Sequence, residues 1–242
     1  MRILLIILIT ISFNAHAQTP PRRAAVGITA KPSGNGIAID SIFPNSTLAS
    51  LKLKKGDVLT ELNGNKTPSI EVYAKAASTI RTGDNISVSF IRDQKNMNAK
   101  GIAVMRPYEQ SDIADVQYDW VKFRNGYLRA ITRKPKNKNN LPCILLIPGY
   151  GCGSIENYTG SYNGKLLNEW LKAGYAVVTI EKSGLGDSYK CEPCSEVNLT
   201  TDIESFDAGY KYMEQLPFVD KSNLFIWGHS MGGVIAPEVA KL

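Results

Sequence analysis

The sequence predicts an α/β chain with an additional, smaller α+β module, and three observations lead there. Short strands, tight turns and one amphipathic helix fill residues 24–105. From residue 143 onward, continuous apolar runs alternate with helical segments, the pattern of a mostly parallel sheet with crossover helices. The apolar run Leu224-Phe225-Ile226-Trp227 then enters Gly228-His229-Ser230-Met231-Gly232, and a helix-compatible segment follows from Val234 to Leu242.

The first residues read as a leader. Met1-Arg2 is a short positive start, Ile3 to Ile11 is apolar but for Thr10, and Ala15-His16-Ala17 is a small-x-small cleavage pattern. Residues 1–17 are therefore expected to be a signal peptide, with the mature chain starting at Gln18 in the periplasm or outside the cell. An apolar run this short cannot span a bilayer that needs about 20 residues, so no stable membrane span is expected. The formal net charge is +6. The basic residues sit in short clusters, Lys52 to Lys55 and Arg133 to Lys138, which read as solvated loops without an aromatic stacking platform. That excludes a nucleic-acid partner. No cofactor and no metal site is expected.

Residues 24–105 are taken in order. Alternation in Ala25-Val26-Gly27-Ile28 and in Gly36 to Phe43 predicts strands, and Pro44-Asn45-Ser46 breaks the second. Ser46 can cap a short helix from Thr47 to Leu51. A strand at Val58 to Leu62 ends in the tight turn Asn63-Gly64. Ile70, Tyr73, Ala74, Ala77 and Ile80 share one helical face, and strands Ile86 to Arg92 and Asn98 to Val104 follow. Val26-Gly27-Ile28, Phe43-Pro44-Asn45-Ser46, Leu53-Lys54-Lys55-Gly56-Asp57 and Leu62-Asn63-Gly64 together resemble a PDZ domain of the bacterial secreted-protease type, a small β-barrel-like fold. The resemblance implies that Ala25, Val26, Gly27 and Ile28 form the loop whose backbone N–H groups take a peptide's C-terminal carboxylate. Tyr73, Ala77 and Ile80 would then supply the opposite wall.

Residues 106–115 are polar, contain Pro107, and read as a linker. Val116 to Phe123 and Tyr127 to Lys134 form a hairpin about Arg124-Asn125-Gly126. Cys143 to Ile147 and Tyr175 to Ile180 are buried strands; helices cover Leu166 to Ala173 and Thr201 to Leu216. Strand, Gly-x-Ser-x-Gly turn and helix together have the layout of a nucleophile elbow, whose glycines let strand and helix approach closely. Residues 116–242 thus resemble the N-terminal part of an α/β-hydrolase. The resemblance makes Ser230 the nucleophile, with the backbone N–H groups of Met231 and, after Pro148-Gly149, of Tyr150 as oxyanion donors.

One departure from the family is large. Its triad runs Ser, then acid, then His, yet a dozen residues follow Ser230, with Glu238 as the sole acid and no histidine. The two histidines are His16, in the leader, and His229, which is expected to pack away from Ser230. The expectation is a hydrolase truncated before its acid and histidine, inactive as 242 residues, with an acyl ester or peptide as the parent substrate. The alternative is a non-catalytic exported protein that binds peptide C-termini. Four cysteines stand at 143, 152, 191 and 194. Loops after neighbouring parallel strands emerge on one sheet edge, which favours Cys152 with Cys194; a local Cys191–Cys194 bridge is the rival. Intact-mass measurement of exported material should show a chain beginning at Gln18, and retention of residues 1–17 would contradict the leader.

Overall fold

The computed structural model describes residues 20–156 and 161–242. The expected leader and its cleavage point lie outside the described residues. The N-terminal sheet contains β1 (Ile28–Ser33), β2 (Gly36–Ile42), β3 (Val58–Leu62), the two-residue β4 (Asn65–Lys66), β5 (Asn85–Arg92) and β6 (Lys95–Ile102). Helices α1 (Thr47–Ser50) and α2 (Ile70–Thr79) interrupt them. Both helices start on a serine whose hydroxyl accepts a backbone N–H, from Ala49 to Ser46 and from Val72 to Ser69. The strand order is β1-β2-β3-β5-β6 with β4 on β3, every pair antiparallel. The sheet is open at β1 and β6 rather than closed as a barrel among the described residues. Inward residues of alternating strands, among them Ile37, Ile39, Leu59, Leu62, Val88 and Phe90, make its core with Leu48 and Tyr73.

The first strand is displaced from its expected place. Ala24 and Ala25 donate their N–H groups to Ile80 and Val104, which ties this stretch across the domain instead of along a strand. β1 starts at Ile28 and runs through Pro32, which an edge strand tolerates because it needs no donor on its free side.

The second sheet holds β7 (Ala114–Phe123), β8 (Gly126–Pro135), β9 (Leu141–Ile147), β10 (Ala176–Ile180) and β11 (Val219–Gly228), in the order β11-β9-β10-β8-β7. It is mixed, not mostly parallel. β9 pairs in parallel with β10 and β11, while the β7–β8 hairpin and its contact with β10 are antiparallel. Helices α3 (Tyr162–Ala173), α4 (Leu199–Glu214) and α5 (Met231–Val239) cover it. The two-residue period of a strand divides the work. Cys143, Leu145 and Ile147 face α4 and α5 through Phe206, Met213, Ile235 and Val239, whereas Leu146 and Val177 face α3 through Leu167 and Leu171.

Residues 106–115 are not a loose linker. Arg106 N–H donates to Arg23 O at 3.3 Å, and buried Glu109 takes a two-pronged bond from Arg133 with both contacts at 2.6 Å. Arg133 therefore belongs to the core, with its side chain 1% exposed, and not to the solvated cluster its neighbours suggest. Arg22 fastens the two sheets together. It donates to Asp187 at 2.6 Å, to Glu156, and to the carbonyls of Arg106 and Pro107, both at 2.7 Å. Tyr108 and Tyr118 stack on its guanidinium. No helix among the described residues is long and apolar enough to cross a membrane.

Candidate functional site

Ser230 sits on the turn between β11 and α5 with φ 53° and ψ −118°, a left-handed conformation that non-glycine residues adopt at a cost of about 1–3 kcal/mol. The chain turns so tightly that a Cβ at Gly228 would strike the Gly232 carbonyl, and one at Gly232 would strike the Ile147 carbonyl. Past the turn, Gly232 N–H donates to His229 O and Gly233 N–H to Ser230 O, both at 2.8 Å. The Met231 N–H, at the start of α5, has no partner among the described residues.

The segment after β9 passes beside the serine, since a Cβ at Gly149 would lie 3.2 Å from Ser230 Cβ. Tyr150 follows, 89% exposed. His229 N–H is held by Ile147 O, and its ring stacks on Trp227 with centroids 6.1 Å apart. Among the described residues no side chain hydrogen-bonds the Ser230 hydroxyl. Lys182, just past β10, is paired with Asp202 at 3.1 Å.

Two fasteners hold residues 148–156. Cys152 is joined to Cys194 with Cα atoms 5.8 Å apart, while Cys143 and Cys191 are free. The second fastener is Glu181, which accepts from the Ser154 hydroxyl and, at 3.3 Å, from Ile155 N–H while packing against Gly186. Its side chain is cut off from solvent, and burial pushes its pKa up to about 7 against the two hydrogen bonds that favour the anion. A charged residue directly after a buried strand is the one trace of this anchor in the sequence.

A second concavity, about 530 Å³, lies between β1 and α2. Ala25, Val26, Gly27, Ile28, Tyr73 and Ala77 all line it. Ala25 spends its N–H on Val104 at 2.9 Å, so Val26 and Gly27 carry the amides without partners among the described residues. Ile80 is in the core instead of the groove wall. Arg106, Pro107 and Tyr108 complete the lining, a contribution from the supposed linker that no local sequence pattern announces.

An antiparallel sheet with this groove and a mixed sheet ending in a strand–serine–helix turn define a two-domain chain. Residues 24–101 match the family of PDZ domains, so the N-terminal domain is a PDZ domain. The periplasmic serine endoprotease DegP of Escherichia coli K12 is 32% identical over 63 residues, covering 26% of this chain and 13% of that protein. A probable periplasmic serine protease of the do/HhoA-like type from Haemophilus influenzae is 36% identical over 66 residues, 27% of this chain and 14% of the relative. The chain thus spans a small fraction of the length of these curated relatives. The C-terminal domain resembles the structure of EstE1, a thermostable carboxylesterase cloned from a metagenomic library, with 25% identity and a TM-score of 0.44 over 55% of this chain and 42% of that one.

Because the Glu181 pKa lies above that of an unfolded glutamate, the folded state holds the extra proton between about pH 4.5 and 7, and stability falls as pH rises through that window. Glu181→Gln mimics the protonated form. Chemical denaturation should find the variant equal to the native chain near pH 4.5 and more stable above pH 8, by on the order of 3 kcal/mol. Parallel pH profiles would contradict the buried, raised carboxyl.

Proposed function

We propose that this chain carries the nucleophile part of an exported serine hydrolase of the α/β-hydrolase type, joined to a PDZ domain that binds peptide C-termini. Residues 24–105 are assigned to the PDZ domain and 116–242 to the hydrolase domain. Ser230 attacks the carbonyl of an acyl ester or peptide, and the N–H groups of Met231 and Tyr150 receive the developing oxyanion. The observation that carries this reading is the Ser230 backbone, φ 53° and ψ −118° in the tight turn between a strand and a helix, the strained geometry of a nucleophile elbow. Export is supported by the leader pattern and by the disulfide, and both named relatives are periplasmic proteins.

A serine hydroxyl needs a base within hydrogen-bond reach to become a nucleophile. None of the described residues supplies one, so the proposal requires a histidine and an acid from outside this segment. The same observation favours a second reading: the 242 residues act as a peptide-binding protein and the elbow is catalytically silent.

A fluorophosphonate probe separates these ideas because it reports an activated serine without the correct substrate. The 242-residue chain should react no faster than its Ser230→Ala control, since loss of a triad base costs several orders of magnitude. An extended reading frame that encodes the acid and histidine should label at Ser230. Absence of labelling there would leave the peptide-binding reading. Rapid labelling of Ser230 in the 242-residue chain would show that a base lies within reach after all.

A further inference from the structure

Positive charge collects where the PDZ groove meets the hydrolase domain. The guanidinium groups of Arg22, Arg106 and Arg129 contact the carboxylates of Glu156 and Asp187, Arg23 gives Asp187 its backbone N–H and Gly184 O its guanidinium, and Arg81 lies beside them. A third carboxyl, Glu181, has its pKa raised by burial. Burial lowers the pKa of Arg23, Arg81 and Arg129, and neighbouring arginines lower Arg23 and Arg129 further, the signature of cations short of counter-charge. Arg22 is committed to two carboxylates, and Arg81 to the carbonyls of Asp187 and Ser188.

Arg106 differs from the others. Its backbone is pinned at both ends, its N–H donating to Arg23 O and its C=O accepting from Arg22 Nε, which fixes where its side chain leaves the chain. Its Nε lies 3.1 Å from Glu156, but its two terminal nitrogens have no hydrogen-bond partner among the described residues. The side chain is 35% exposed and lines the groove with Val26 and Gly27. β1 is an edge strand that begins at Ile28, directly after those two unpartnered amides. A peptide added to that edge in antiparallel sense ends at the start of β1, beside Val26, Gly27 and Arg106.

Resting on the peptide-groove reading above, we propose that Arg106 is the side chain that recognises the terminal carboxylate of a bound peptide, and that it shares itself between this ligand and Glu156. The hydrolase domain is then part of the peptide site. Glu156 closes the 148–156 segment that passes Ser230, so occupation of the groove is felt there through one ion pair.

The test is a double-mutant cycle on the full chain, with the terminal group of a short labelled peptide ending in valine as one arm and Arg106 as the other. Native protein should bind the free acid and bind the amide more weakly. Arg106→Gln should weaken the acid by about tenfold, the value of one charge-assisted hydrogen bond, and leave the amide unchanged. Equal losses for acid and amide in Arg106→Gln would reduce the residue to a structural role and overturn the proposal, as would unchanged affinity for both. If native protein distinguishes acid from amide but Arg106→Gln does so equally well, the groove reading stands and this inference falls. Binding of neither peptide by native protein would remove both.

Discussion

The buried guanidinium of Arg22 is the contact on which the arrangement of the two domains depends. It stands at the entry to the PDZ domain, yet its partners Asp187 and Glu156 belong to the loops after β10 and β9. Two carboxylates, two carbonyls and two aromatic faces surround it, so its charge is compensated on every side. A single buried pair roughly offsets its own desolvation, but removing one partner from such a cluster strands the rest and costs about 3–5 kcal/mol. The consequence is geometric. The segments that pass Ser230 and the mouth of the peptide groove are held by the same set of charges, so neither domain sets its own functional edge alone.

Much of the fold was legible because it rests on apolar periodicity. The buried runs Cys143 to Ile147 and Ala176 to Ile180, the helical face of α2 and the β7–β8 hairpin all announce themselves by which positions avoid water. The elbow was legible for a different reason: only glycine fits at Gly228 and Gly232, and that leaves a spaced pattern around Ser230. Buried ion pairs leave no comparable trace. Arg133, Glu109, Arg22 and Arg106 look like ordinary surface residues in sequence, and the partners of Arg22 lie 134 and 165 positions away. For that reason residues 106–115 read as a linker when they are a fastened part of the groove and the interface. β1 was misplaced because Pro32 and Lys31 hide an edge strand from a test of alternation, and the sheet looked mostly parallel because the hairpin strands were not assigned to it.

The elbow lies at the margin of its sheet. Among the described residues β11 pairs with β9 alone, and Phe225 remains 44% exposed in an apolar trough with Leu224, Ile226 and Ala236. Strained backbone at Ser230 persists because Gly149, Ile147 and the start of α5 enclose the turn from the other side. The Cys152–Cys194 bridge and the Glu181 anchor then fix the neighbouring segment without any contribution from that open edge. The turn is therefore held rigid around Ser230, and among the described residues no side chain hydrogen-bonds its hydroxyl.

The central claim, that Arg22 makes one cooperative body of the N-terminal PDZ domain and the C-terminal domain, is tested most directly by differential scanning calorimetry. The native chain should unfold in a single transition whose calorimetric and van't Hoff enthalpies agree. Arg22→Met keeps the aliphatic bulk and removes the charge, and it should split that transition in two, with the lower one well below the native midpoint. Two separate transitions already present in the native chain, at temperatures that Arg22→Met does not move, would contradict the account.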